Sequence, residues 1–274
     1  MRTNTICTLL EDSKFNNCSS TLRGGSVFYD CWQEGQFVQQ RTCYYNSIAD
    51  LYLAFFQRIK SSDSFINYAF DVSVCYCGKS ALKGRNVLEI SYGDLHISNI
   101  NSTNNKCEKC PSIRTVLSAS SGTTNFSTFR DNNQTERGSV QFLSNYHSKN
   151  HTVSYCNIIG NKCGTDKVHA LIECLYTSNF DQCIFLNNTS RYMFKQTATD
   201  YILTISNSYV DYDSLTSTDG IVKFTNIKEN YDLNNFIEFY EENCFIDPKE
   251  ITNKISYLYK FVKTASAELF AFKN

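Results

Sequence analysis

Apolar residues recur along this chain in short runs split by polar corners, and the runs return at a nearly fixed interval. The stretches "NFDQCIFLNNTSRYMF" (179–194), "SYCNIIGNKCG" (154–164) and "FSTFRDNNQ" (126–134) share one plan. A small Ser, Thr or Cys is followed by any residue, a large apolar residue, two more residues and a small polar one. The apolar anchors read as Phe15, Tyr44, Val72, Ile100, Phe129, Ile158, Phe185 and Val210, at separations of 29, 28, 28, 29, 29, 27 and 25. Two residues before them stand Ser13, Thr42, Phe70, Ser98, Ser127, Cys156, Cys183 and Ser208. Three residues after stand Cys18, Ser47, Cys75, Thr103, Asn132, Asn161, Asn188 and Asp213. A sustained period of this size is the mark of a solenoid.

The side-chain chemistry selects the kind of solenoid. In a strand, residues i and i+2 share a face, so the small residue and the anchor both point inward. The residue three after the anchor is placed at the corner, where Asn or Asp tolerates left-handed backbone and can bond from coil to coil. A second strand is predicted in most units, at 24–29, 86–90, 114–118, 138–143, 169–174, 191–194 and 220–224. A third precedes the anchor in several, as "HTVSYC" (151–156) and "YILTI" (201–205). Two or three short strands per coil with polar corners predict an all-β parallel β-helix of about eight or nine coils. Leucine-rich repeats would need Leu as the recurring residue, helical repeats a 3.6-residue periodicity, and a sandwich many Gly/Pro turns.

The pattern changes after residue 246. "DPKEITNKISYLYKFV" opens with Asp247 as an N-cap, Pro248 at the first helical position and Glu250 at the third. Ile251, Ile255, Leu258 and Val262 then fall along one face. The expected organisation is a β-helix over 1–246 and, over 247–274, a capping helix (to about residue 271) and tail. An open final coil would expose strand edges and core, which a helix can cover.

Composition narrows the function classes. Lys plus Arg number 26 against 27 Asp plus Glu, so the chain has no global charge drawing it to nucleic acid. The longest apolar run, "LYLAFF" at 51–56, is far too short to span a bilayer as a helix. Thirteen cysteines and sequons at Asn17, Asn101, Asn125, Asn133, Asn150, Asn187 and Asn188 suggest an oxidising, secretory setting and possible glycosylation. The opening "MRTNTICTLLEDSKF" lacks the apolar core of a signal peptide, which argues for an intracellular protein or a fragment.

"FNNCSSTLRGGSVFYDC" (15–31) resembles one repeat of the polymorphic outer membrane protein family, which pairs F-x-x-N with a following G-G-A-[ILV]. Here the pair is Gly24–Gly25, with Ser26–Val27 for Ala–Ile. Cys18 replaces the Asn in this copy, while Asn132 and Asn188 supply it after Phe129 and Phe185. More broadly, residues 5–225 are similar to the Asn- and Cys-rich β-helix proteins of unicellular-parasite surfaces. The resemblance implies a right-handed, pectate-lyase-like β-helix, extracellular or on a cell surface, used for adhesion.

No catalytic, cofactor or metal constellation is expected. Asp211, Asp213 and Asp219 form the nearest acidic cluster, and Arg58–Ile59–Lys60 echoes a galacturonase tripeptide without its accompanying elements. Cys75-x-Cys77 with Cys107-x-x-Cys110 carries enough thiols for zinc, but C-x-C is an unusual knuckle. His96, His147, His151 and His169 have no ligand spacing. The expected function is a non-enzymatic surface or secreted scaffold for a glycan or protein ligand; the rival is a carbohydrate-active enzyme of the same fold.

Overall fold

The computed structural model describes residues 6–32, 35–62, 64–117, 122–135, 140–144, 150–164, 170–211 and 220–232, with backbone alone for 140–144. The helix expected over 247–271 and the boundary at 246 lie outside these residues.

Every described strand pairing is parallel, and the strands form two sheets that the chain visits in turn. The first turns contain β1 (Ile6–Glu11), β2 (Lys14–Asn16), β3 (Val27–Asp30), β4 (Gly35–Tyr45) and β5 (Tyr52–Arg58). β6 (Ile66–Cys75), β7 (Asn86–Ser91), β8 (Asp94–Thr103) and β9 (Ile113–Leu117) follow. Then come β10 (Gly122–Asn125), β11 (Thr128–Arg130), β12 (Val140–Ser144), β13 (His151–Ser154), β14 (Asn157–Ile159) and β15 (Ala170–Cys174). The described chain closes with β16 (Ser178–Asp181), β17 (Ile184–Leu186), β18 (Tyr192–Gln196), β19 (Ile202–Ser206), β20 (Tyr209–Val210) and β21 (Ile221–Thr225).

The larger sheet has 14 strands and the smaller, β3-β5-β7-β9-β12-β15-β18, has 7. This is an all-β parallel solenoid, as the period predicts. No helix occurs among the described residues. The larger sheet bends along a line of residues with left-handed backbone: Arg41, Asp71, Asn99, Phe126, Tyr155, Gln182 and Asn207. In β4, β6 and β8 the strand runs through this corner, while in later turns the corner divides it into two short strands.

The stacking register differs from the sequence reading in the third and fourth turns. The observed column is Phe15–Tyr44–Val74–Ser102–Phe129–Ile158–Phe185–Val210. Val72 and Ile100 pair with each other but sit one inward position earlier, on Thr42. The cause is the two-residue period of a strand. Val72 and Val74 both face the core, as do Ile100 and Ser102, and a rule that picks large apolar residues cannot choose Ser102.

The left-handed residue is also displaced. It lies two residues after the observed column, at Asn17, Asn46, Tyr76, Asn104, Asp131, Gly160 and Asn187. The residue three after points inward and builds a ladder: the backbone N–H groups of Cys77, Asn105, Asn132 and Asn161 donate to the Oδ1 atoms of Asn105, Asn132, Asn161 and Asn188 at 2.8–3.1 Å. Each amide nitrogen donates to the carbonyl of a column residue, from Asn105 to Val74, Asn132 to Ser102, Asn161 to Phe129 and Asn188 to Ile158, at 2.8–2.9 Å.

One strand assignment changes as well. Residues 220–224 belong to the larger sheet, because β21 pairs with β19. "LYLAFF" is mostly β5, a second-sheet strand between β3 and β7 whose covered faces explain its unbroken apolar run. The Gly24–Gly25 pair is a backbone requirement at the entry to β3. Gly24 has φ +60, and a Cβ on Gly25 would lie 2.1 Å from the Leu53 carbonyl oxygen.

A candidate arginine-lined cleft

Outward-facing positions of the smaller sheet, together with Arg85, Tyr92 and Leu175 from the adjoining turns, line a cleft of about 230 Å³ whose other members are Tyr52, Arg58, Glu89, Ser91, Arg114 and Val116. Strand alternation places these groups. Glu89 and Ser91 point outward from β7 while Leu88 and Ile90 fill the core. Parallel register sets Glu89 beside Arg114, and Arg58 between Asp30 and Ser91. Residues far apart in the chain thereby meet on consecutive rungs.

Two of the three arginines are held. Arg58 grips Asp30 through both carboxylate oxygens, at 2.7 and 2.5 Å, and its guanidinium lies 4.0 Å from the centre of the Trp32 ring. The bond to Asp30 raises the Arg58 pKa further. Arg114 meets Glu89 at 2.6 Å. Glu89 is 4% exposed and also accepts from the Asn86 amide at 2.7 Å and the Ser91 hydroxyl at 3.0 Å. Arg85 is exposed and has no side-chain hydrogen bond or ion pair among the described residues.

The ring at the cleft edge is positioned from inside the solenoid. Tyr92 has left-handed backbone, φ 68, followed by Gly93 at φ 77. The Asn67 amide donates to the carbonyls of Ser91 and Tyr92 at 2.9 and 2.8 Å. Asn67 in turn accepts from Gln57, which accepts from Gln39 at 2.6 Å. This buried network locks the turn that carries Tyr92. Burial, and then the charge of Glu89, push the Tyr52 phenol up while Arg85, Arg114 and Arg58 oppose them. Its hydroxyl is therefore neutral at physiological pH.

The expected chemistry is distributed differently. Asp211 accepts from the Asn187 backbone N–H, whereas Asp213 and Asp219 lie outside the described residues. The Cys77, Cys107 and Cys110 thiols are buried, and burial pushes the first two up to about 12 and the third well above its usual value. Such thiols are protonated at neutral pH. No cluster of three or more His, Cys, Asp or Glu able to hold an ion occurs among the described residues.

His96 bonds Thr123 and Asp94 at 2.9 and 3.1 Å, and His151 is buried against Thr124. His147 and His169 lie outside the described residues. Asn17, Asn150 and Asn187 are exposed and Asn101, Asn125 and Asn133 half-buried, whereas Asn188 is buried in the ladder. No helix among the described residues is long and apolar enough to cross a membrane.

Of the cleft residues, only Arg58 stands out in the sequence. The signal was present: Asp30 and Arg58, like Glu89 and Arg114, are opposite charges about one turn apart on strand faces that read as outward.

Fold and cleft together define a parallel β-solenoid carrying a cationic, aromatic-edged cleft on one sheet. Comparison of the chain with protein-family models, with curated proteins and with solved structures finds no match for it.

Proposed function

We propose that this chain is a non-enzymatic interaction scaffold, secreted or displayed at a cell surface, that holds a glycan or protein ligand against the smaller sheet. The observation that carries this reading is the character of the cleft. Its single lining carboxylate, Glu89, is buried and fully engaged, so the described cleft offers cations and rings for binding without a second carboxylate for acid–base work. A right-handed coil sense fits the strong preference of parallel crossover connections. The resemblance of residues 15–31 to polymorphic outer membrane repeats supports a surface role, as do the exposed sequons. In this reading eight or nine pectate-lyase-like coils end in a helical lid over 247–271.

The rival reading is a polysaccharide-cleaving enzyme, favoured by one feature: an arginine with no ion-pair partner among the described residues, in a cleft edged by tyrosines. Incubation of the purified chain with polyuronates and neutral and sulfated glycans, with calcium present, separates the two. The scaffold reading expects retention without release of new chain ends; turnover overturns it.

A further inference from the structure

We infer that the cleft takes a sulfate or phosphate ester carried on a glycan chain, with Arg85 as its principal contact. The inference rests on the ligand-binding reading above and specifies what is bound. Three guanidiniums line one small space against one carboxylate. Arg58 and Arg114 are oriented by Asp30 and Glu89, so their remaining N–H donors have fixed directions. Arg85 is the cation whose charge no described group offsets, which leaves the cleft one positive charge in excess of these pairs. An ester of tetrahedral sulfur or phosphorus presents several terminal oxygens, enough to engage more than one planar fork at once. A carboxylate has two and would be satisfied by a single arginine.

The neighbouring surface suits a sugar chain. The Trp32 ring, 62% exposed and just past β3, lies against Arg58, and Phe28 of β3, 41% exposed, stacks on Phe56 of β5. Flat rings beside a cationic cleft can stack sugar faces while the guanidiniums take the ester. Asn86 and Ser91 are already bonded to Glu89 and do not compete for the ligand.

The test is calorimetric titration of the full chain and of R85A with three ligands: a heparin hexasaccharide, the same hexasaccharide stripped of sulfate but keeping its uronate carboxylates, and a phosphorylated mannose oligosaccharide. Tight binding by the sulfated or the phosphorylated ligand identifies which ester the cleft prefers. Removing sulfate should weaken binding at least about tenfold, and R85A should weaken it by a similar factor, as loss of a charge-assisted contact does. R85A should leave the melting temperature unchanged, because its side chain is exposed and makes no hydrogen bond or ion pair among the described residues. An unaltered R85A or no binding by either ester overturns the inference, as does equal affinity for the desulfated chain where the sulfated one binds. Binding of any glycan without dependence on Arg85 leaves the scaffold reading standing, and cleavage of a bound chain removes that reading while leaving the anion site.

Discussion

His151 sits on β13 with its ring inside the solenoid, 1% exposed, and its Nε2 lies 2.9 Å from the Thr124 hydroxyl. Burial depresses its pKa to about 3 from an ordinary 6.5. The unfolded chain takes up a proton as pH falls through 6.5, while the folded chain does not until near 3. Stability contributed by the neutral ring is therefore complete above pH 6.5 and declines below it, by about 1.4 kcal/mol per pH unit. Urea unfolding at pH 7.5 and 5.0 should show wild type losing about 2 kcal/mol more than H151Q over that interval. Equal losses would mean that the ring is solvated in the native state.

The cysteines make a second statement at this scale. Eleven described cysteines are thiols, and Cys43 is in a disulfide. Burial pushes Cys163 up to about 11 and Cys174 up to about 12, and raises Cys183 well above its usual value. Iodoacetamide at pH 8 should modify Cys7, Cys18 and Cys31, which lie at the exposed first turn, and spare the buried thiols until the chain is unfolded. Peptide mass spectrometry of native and denatured samples reads this directly. Rapid native labelling of Cys107 or Cys174 would contradict the burial described here.

Among the elements, the asparagine ladder ties the turns together where they carry no regular strand. Asn161 is an interior member: it accepts from the backbone and amide nitrogens of Asn132 at 3.1 and 3.0 Å, and donates to the Phe129 carbonyl at 2.8 Å. Asn161→Ala removes all of these and leaves buried groups without partners, which should cost roughly 3 kcal/mol. The check is a shift in urea midpoint much larger than that of N187A, an exposed corner residue. Asn188, in the same ladder as Asn161, should also escape glycosylation in material from a secretory cell, whereas Asn17 and Asn150 are accessible.

This ladder shows how far the sequence can be read. The recurrence of Asn132, Asn161 and Asn188 three residues after Phe129, Ile158 and Phe185 was enough to predict stacking, and the pairing follows it residue for residue. The same rule failed at Val72 and Ile100, since inward positions repeat every second residue and Ser102 carries no hydrophobic signal. The cleft was harder to see. Its members depend on which outward positions of β5, β7 and β9 become neighbours, and that register is set by the turns between them.

At the scale of the molecule, each turn touches mainly the turn before and the turn after. β6 and β8 are paired along both edges, whereas among the described strands β21 pairs only with β19 and β3 only with β5. A linear array of this kind has stability that is a sum of turns and interfaces, so opening begins at the least-supported ends. Phe15 stacks on Tyr44 with ring centres 5.0 Å apart, making it a handle on the first interface. F15A should accelerate amide exchange in β1, β2 and the first-sheet strand β4 beside them. It should leave exchange in β14 and β17 unchanged, because they lie five and six rungs away along the column. In wild type the slowest exchange should fall in β6 and β8, and the fastest strand exchange in β21, whose side chains are mostly exposed. Uniform acceleration along the whole column after F15A would instead show that the solenoid opens as one cooperative unit, with the turns coupled far more strongly than nearest-neighbour contact provides.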